Sequence, residues 1–574
     1  MRNSITIALL ILLITLNSCS EILEVSPSSD WKVENFYSNE SEVKIALSGI
    51  YHQLANNNVY GSNFNVLLEA GTDETYTNDP AISWADARFE QSPSDDAIKN
   101  AWVQFYSCIQ LVNLFERNLK PSLFTVDVYN RYLAKARFYR ALCYFNLANW
   151  WGPVPLRLAP STQQSDNNLA PSPVLDVYKQ VEKDFQFAAK YLYHAKDPDY
   201  VPGEPNKMAA HGLLARLYLK MGGYQPYLSS NEAECYFQDN NQYFQKALDQ
   251  CDTIIYKDGW HDIVPYTQDS LSYRNHFLNY LQDRYDTKES LFEISFGNLS
   301  DKGIYVSGTL GNINGVEFIG TQNIPRGFCK VNASIVLYNL YMHNSKDKRM
   351  QWSIAGFKNN FISSANTFQM SYIFDFPLNA EYGVGKFRRW EPKDIKALKA
   401  APSGRILNAE YTILNNKGAS ATDPNFTSIN FTFLRYSDVL LMYAEAAIAG
   451  RYGTLAPSLQ ALECLNKVRN RAGLSDFTDT NHDTFFNELV DERLRELCFE
   501  GLRKQDLIRW NLLEDKLAEV ASAIKLNTAY NSNDQIQQAY LAASKNFNKT
   551  KHLLLPYPLQ EVQINTSLNQ KANW

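Results

Sequence analysis

Apolar residues return every three to four positions along most of the first half of the chain, which is the spacing of helices that bury one face. This predicts helices over Glu42 to Leu54, Ala97 to Leu119, Val128 to Trp151, Asp176 to Tyr193, Asn206 to Met221 and Gln242 to Tyr256. Val128 to Trp151 carries two stripes. Tyr132, Ala136, Tyr139, Cys143 and Leu147 form one, and Phe138, Leu142 and Phe145 the other. A helix that is apolar on two sides is packed on two sides, and Gly152-Pro153 stops it. Ala210, Leu213, Leu214, Leu217 and Met221 share a face of the fifth helix, which Gly222-Gly223 ends. Helix pairs with small residues at their contacts suit a tetratricopeptide-like stack, although no fixed repeat length is visible.

The helical pattern fades between Trp260 and Asn430. Gly, Asn, Ser and aromatic residues dominate there, with short strand-like runs at Leu291 to Phe296 and Tyr372 to Phe376. Long ordered loops of this kind tend to carry function. Helical spacing returns after Phe431. Ser437 or Asp438 is expected to cap a helix bearing Leu440, Tyr443 and Ala447, with Gly450 at its exit. Pro457 suits the first turn of a second helix with Leu459, Leu462, Leu465 and Val468 on its stripe, ended by Gly473. Phe486, Val490, Leu494 and Leu497 make the stripe of a third. The resulting fold class is mostly α: a scaffold of tetratricopeptide-like helical pairs with an inserted loop-rich, minor-β subdomain. The expected division is 36–259 for the N-terminal scaffold with an early loop at 72–91, 260–430 for the loop-rich subdomain and 431–574 for the C-terminal helical block.

Charge changes this picture at one place. Glu492, Arg493, Arg495, Glu496, Glu500, Arg503, Asp506 and Arg509 crowd the third C-terminal helix and the segment after it. The expected role is structural, with Asp491 and Arg495 paired at i,i+4 and the others tying helices together. Glycosidic hydrolysis needs two carboxylates converging on one cleft, and no spacing here indicates that. There is no GxSxG, P-loop or GxGxxG. The net charge of −6 comes without a basic stripe, so no nucleic-acid partner is expected.

The N-terminus reads as an export signal. Arg2 precedes an apolar run from Ile5 to Leu16, too short to span a bilayer as a helix. Leu16-Asn17-Ser18-Cys19 is similar to a lipoprotein cleavage box, so residues 1–18 are expected to be removed, Cys19 acylated and 19–35 to form a tether. Of the other cysteines, Cys143, Cys464 and Cys498 sit in apolar helical patterns as buried thiols. With no CxxC and no close Cys/His group, neither metal nor cofactor is expected.

LRYSDVLLMYAEAA, LNKVRNRAGL and ERLRELCFEGLRKQDLIRW resemble the C-terminal signature of the SusD/RagB family of nutrient-binding lipoproteins. The resemblance continues through FYSNESEVKIALSGIY, ARFYRALCYFNLANWWGPVPL, ALDQCDTIIY with ESLFEISF, and LLLPYPLQEVQINTSLNQKANW. Thr566 and Lys571 depart from the family's usual Pro and Asn. The resemblance implies a non-catalytic surface protein of the outer membrane, anchored in lipid through Cys19. Such a protein captures an oligosaccharide and delivers it, as a lid, to a SusC-like TonB-dependent transporter. A peptide-binding member of the family, a helical surface glycoside hydrolase and a pure interaction scaffold stay open as alternatives.

Sugars are held by aromatic faces and by amide, carboxylate and guanidinium groups. Aromatic residues make up 13% of the chain, so such faces are plentiful. The early loop offers Asp73, Tyr76, Trp84 and Arg88, and the middle region Tyr305, Phe318 and Trp390. Trp84 stands first, because a tryptophan among polar loop residues is hard to assign to a core.

Overall fold

The computed structural model describes residues 36–574 apart from 63, 66–70, 78–81, 230–233, 265–271, 300–303, 306–307, 321–324, 375–376, 379–380 and 416–422. The expected signal segment 1–18, Cys19 and the tether to 35 lie outside the described residues. Helices α1 (Glu40–Ala55), α2 (Asp96–Asn118), α3 (Val126–Trp151), α4 (Val174–Tyr191), α5 (Lys207–Gly222) and α6 (Asn241–Asp252) follow the apolar spacing closely. Side chains of Asn39, Thr125 and Asn206 accept the first free N–H groups of α1, α3 and α5. The two stripes of α3 are buried between α2 and α4, and α5 and α6 continue the stack. Gly152 ends α3 at a φ of 74°, a conformation that favours glycine.

The middle region contains more regular structure than its pattern suggests. Helix α7 (Ser272–Leu281) precedes strand β1 (Ser290–Ile294), which pairs antiparallel with β2 (Phe431–Arg435). All ten residues of this ribbon are buried, the polar Ser290, Glu293, Thr432 and Arg435 among them. It lies against α5, where a Cβ on Gly212 would come within 2.5 Å of Leu434. A mixed sheet is built from Arg405–Leu407, Thr367–Tyr372, Phe357–Ile362 and Phe318–Ile319. It covers a satellite core of Val316, Phe318, Ala355, Phe357, Met370, Trp390 and Leu398, separate from the main core.

Strand β2 runs directly into α8 (Tyr436–Ala447), which packs on α5 and α6, and then α9 (Leu459–Arg471) and α10 (His482–Leu497) follow, ahead of five further helices between Arg503 and Ile564. Neither Ser437 nor Asp438 caps α8. Asp438 is buried and pairs with Arg216 and Arg493 at 2.7 and 2.8 Å. Ser458, not Pro457, begins α9, its side chain accepting from the N–H of Ala461. Gly450 and Gly473 take positive φ at the exits, as expected. All seven cysteines from Cys108 onward are buried free thiols. No described helix is long and apolar enough to cross a membrane.

The crowded charges are buried and paired. Glu496 accepts from Arg349 at 3.1 Å and Arg435 at 3.0 Å, and also from Arg471. Glu492 pairs with Arg349, and Arg495 turns to Glu492 and Glu488 rather than to Asp491. Glu500 binds Arg435 and Lys386 at 2.7 and 2.6 Å. Burial acts to raise the carboxyls of Glu496 and Asp438, but the guanidiniums outweigh it. Arg471, Arg435 and Arg349 hold Glu496 well below its ordinary range, and Arg493 with Arg216 brings Asp438 down to about 2.

Because both folded-state values lie below the unfolded ones, their stabilisation is complete above about pH 4.5 and is lost as pH falls through the folded values. Glu496→Gln leaves guanidiniums buried without their carboxylate, and is expected to lower the unfolding free energy by about 3–5 kcal/mol. It should also flatten the decline of stability below pH 4.5. Denaturant titrations over the acid range measure both effects.

Candidate functional site

Most of the residues singled out in the sequence face inward. Asp73 is fully buried, and its two carboxylate oxygens accept from Arg503 at 2.8 and 2.6 Å. Glu74 beside it accepts from the N–H of Phe499 at 2.8 Å, and burial pushes its carboxyl up to about 8. Tyr76 stacks on Tyr540, with ring centroids 3.4 Å apart. Phe318 and Trp390 meet edge to face in the satellite core at 5.4 Å, and Trp390 is wholly buried. Burial removes Asp73, Tyr76, Phe318 and Trp390 from reach of an external ligand: they hold the early loop and the mixed sheet in place. Asn312 and Asn314 staple turns, the first donating to the carbonyls of Arg326 and Pro424.

Arg88 ends the 3₁₀ turn Ile82–Arg88, is partly exposed and pairs with Glu90 at 2.8 Å. The backbone of Trp84 lies in the same turn, and that of Tyr305 in the short strand Ile304–Tyr305. Their side chains lie outside the described residues.

A groove of about 870 Å³ opens elsewhere, between α1, α3, the segment after α4 and the turn before β1. Tyr51, Tyr132, Tyr139, Tyr193 and Tyr285 line it, with Glu40, Arg131, Lys135 and Glu204 between them. The Arg131 guanidinium stacks 3.8 Å over the Tyr193 ring. Tyr285 is 37% exposed, and its hydroxyl donates to Ser295 at 2.9 Å. Tyr132 donates to Glu40 at 2.6 Å; with Lys44 it holds the Glu40 carboxyl below its ordinary range. Lys135 pairs with Glu204 across the groove lining. Flat rings beside ionic hydrogen-bonding groups form a surface suited to polyhydroxylated ligands.

Of the residues singled out in the sequence, the five with described side chains, Asp73, Tyr76, Arg88, Phe318 and Trp390, do not line this groove. Tyr132 and Tyr139 lie on the stripe read as helix packing. Their hydroxyl ends are the signal that distinguishes them from Leu or Phe at such positions.

Among the described residues, two groups of ligand-type side chains lie elsewhere, mostly buried. In the first, His194 faces Asp258, and His261 lies 3.9 Å from the same carboxylate. The Nδ1 atom of His194 accepts from the N–H of Lys196, so its ring proton sits on Nε2 and is donated to Asp258. That suits a hydrogen bond rather than metal ligation. In the second, His276 lies 3.7 Å from both Asp286 and Glu289. Glu289 already receives Arg435 and Arg471, whose charges oppose a further cation there.

A sequence profile described as "SusD family" matches residues 327–574, and one described as "Starch-binding associating with outer membrane" matches residues 21–219. SusD-like protein P25 of Formosa agariphila is 24% identical over 567 residues, which span 96% of this chain and 95% of that protein. The crystal structure of a SusD homolog from Bacteroides thetaiotaomicron superposes with a TM-score of 0.74 at 22% identity, covering 94% of this chain and 98% of the other. A structure described as a laminarin binding SusD-like protein superposes with a TM-score of 0.64 at 20% identity, covering 94% and 100%. With two matched profiles in succession, near-complete coverage by relatives and this helical architecture, the chain belongs to the SusD-like family.

Proposed function

We propose that this chain is a non-catalytic, lipid-anchored protein of the outer membrane. In this reading it binds an oligosaccharide and passes it to a SusC-like TonB-dependent transporter, over which it sits as a lid. The observation that supports the ligand class is the groove, where tyrosine faces alternate with Arg131, Lys135, Glu40 and Glu204. Tyrosine rings suit the C–H faces of sugars, and the ionic groups suit hydroxyls. A laminarin binding protein of the same fold agrees with this class.

Trp84, Arg88 and Tyr305 belong to the same reading as contacts on the loop side, with Asp73, Tyr76, Phe318 and Trp390 as their support. The acylated thiol of Cys19 is the anchor. Affinity is weak to moderate, because ordering a flexible glycan opposes binding and a lid must release its ligand.

The test uses the soluble form lacking residues through Cys19, with calorimetry and tryptophan fluorescence against polysaccharides and peptides. An oligosaccharide is expected to bind, and Tyr193→Ala or Tyr285→Ala to weaken it about tenfold, equivalent to about 1.4 kcal/mol. Loss of binding in Trp84→Ala with both tyrosine variants unaffected moves the site to the loop face. Binding of peptides alone, or hydrolysis of the glycan, overturns the reading.

A further inference from the structure

A second, smaller cavity of about 70 Å³ lies where α5 meets the C-terminal block. Its apolar walls include Phe145, Trp150 and Phe433, and its polar walls include Arg216, Lys220 and Gln505. The arginines around it are already balanced. Arg216 and Arg493 share Asp438, Arg493 and Arg509 share Asp506, and Arg509 also binds Glu445. Three guanidiniums thus meet three carboxylates.

Lys220 is one cation more. It is 3% exposed, forms no ion pair among the described residues, and has one long hydrogen bond, 3.4 Å to Oε1 of Gln505. The amide nitrogen of Gln505 and Nε of Arg216 are buried with no acceptor among the described residues. The carboxylates of Asp506 and Glu500 are occupied by Arg493, Arg509, Arg435 and Lys386. Beside these already occupied carboxylates, which also line the cavity, its wall holds two donors without acceptors among the described residues and one ammonium without an ion-pair partner.

We infer that this cavity is a binding site for a small monoanion, held by Lys220, Arg216 and Gln505. A water molecule occupies about 30 Å³ in the liquid, so the space suits a halide or a carboxylate as small as formate. A buried ammonium without a counter-charge is expensive, and burial, with the charge of Arg509 added to it and only Asp506 opposing, pushes Lys220 down to about 7. An anion supplies the missing charge and accepts the free N–H groups at once, joining α5 to the segment that begins at Glu500.

The test is crystallography in bromide together with thermal unfolding in chloride against gluconate at equal ionic strength. The expected result is an anomalous bromide peak bounded by Lys220, Arg216 and Gln505. Chloride should raise Tm by about 1 °C per tenfold concentration once it exceeds the dissociation constant. Gln505→Glu places a carboxylate beside Lys220 and is expected to abolish the chloride dependence while keeping the fold. Lys220→Met is expected to abolish it as well. Absence of the peak, or equal Tm in both salts, overturns the site. A peak with no chloride dependence marks an adventitious ion only and overturns it too.

Discussion

The buried ion pairs around α10 are the constraint on which the rest of this structure depends. Glu492 and Glu496 leave one helix and engage Arg349 from the middle region, Arg435 from β2 and Arg471 from the end of α9. Arg503 reaches Asp73, 430 positions away in sequence. Each of these groups is costly to bury alone and tolerable only with its partner in place. The set therefore favours one arrangement of three distant chain segments over others that would bury the same apolar area. Hydrophobic stripes bring the helices together, and the charges decide their register.

That constraint also explains why Asp73 and Tyr76 do not reach solvent. The early loop is fastened at Asp73 and Glu74, which pins the following strand Thr75–Tyr76 against Asn332–Ala333 and directs Tyr76 onto Tyr540. Likewise Trp390 lies on a strand paired with Tyr411–Ile413, and its ring faces the satellite core. Polar loop composition signals function only when the loop is free to expose its side chains. Here the acidic residues at its start are anchors.

Helix positions were legible because the 3.6-residue period survives in sequence without knowledge of partners: the expected and observed limits of α2 and α3 differ by one or two residues. Local signals failed where tertiary contacts competed with them. Asp438 has the chemistry of a cap, yet two arginines claim it. The crowded charges of α10 were legible as ion pairs but not as buried ones, because neighbours in sequence cannot reveal that Arg349 and Glu289 converge from elsewhere. Helix α7 was obscured by the loop-like composition around it, and the ribbon was legible only as the strand-like run at Leu291 to Phe296, without its partner Phe431–Arg435. The tyrosine groove was the least legible feature. Its walls come from α1, α3, the segment after α4 and the turn at Tyr285, and no one of these segments is unusual by itself.

The groove and the ionic centre divide the work of the fold in a physically consistent way. The charges around α10 are paired and shielded from salt, so they keep the scaffold in one arrangement. The ionic groups of the groove sit at the surface, where Lys44 and Glu40 are about half exposed and their pair contributes little stability. Such groups can exchange one hydrogen-bond partner for another at small cost. A surface that must accept and release a hydroxyl-rich ligand benefits from that looseness, provided that the rings beside it are held firmly. Tyr51 is held in this way, its hydroxyl donating to the carbonyl of Ser295 at 3.0 Å beside the rigid ribbon. The same strands that carry Arg435 and adjoin Glu289 into the ionic centre thus fix the edge of the groove, which couples the precision of the site to the pairing of the core.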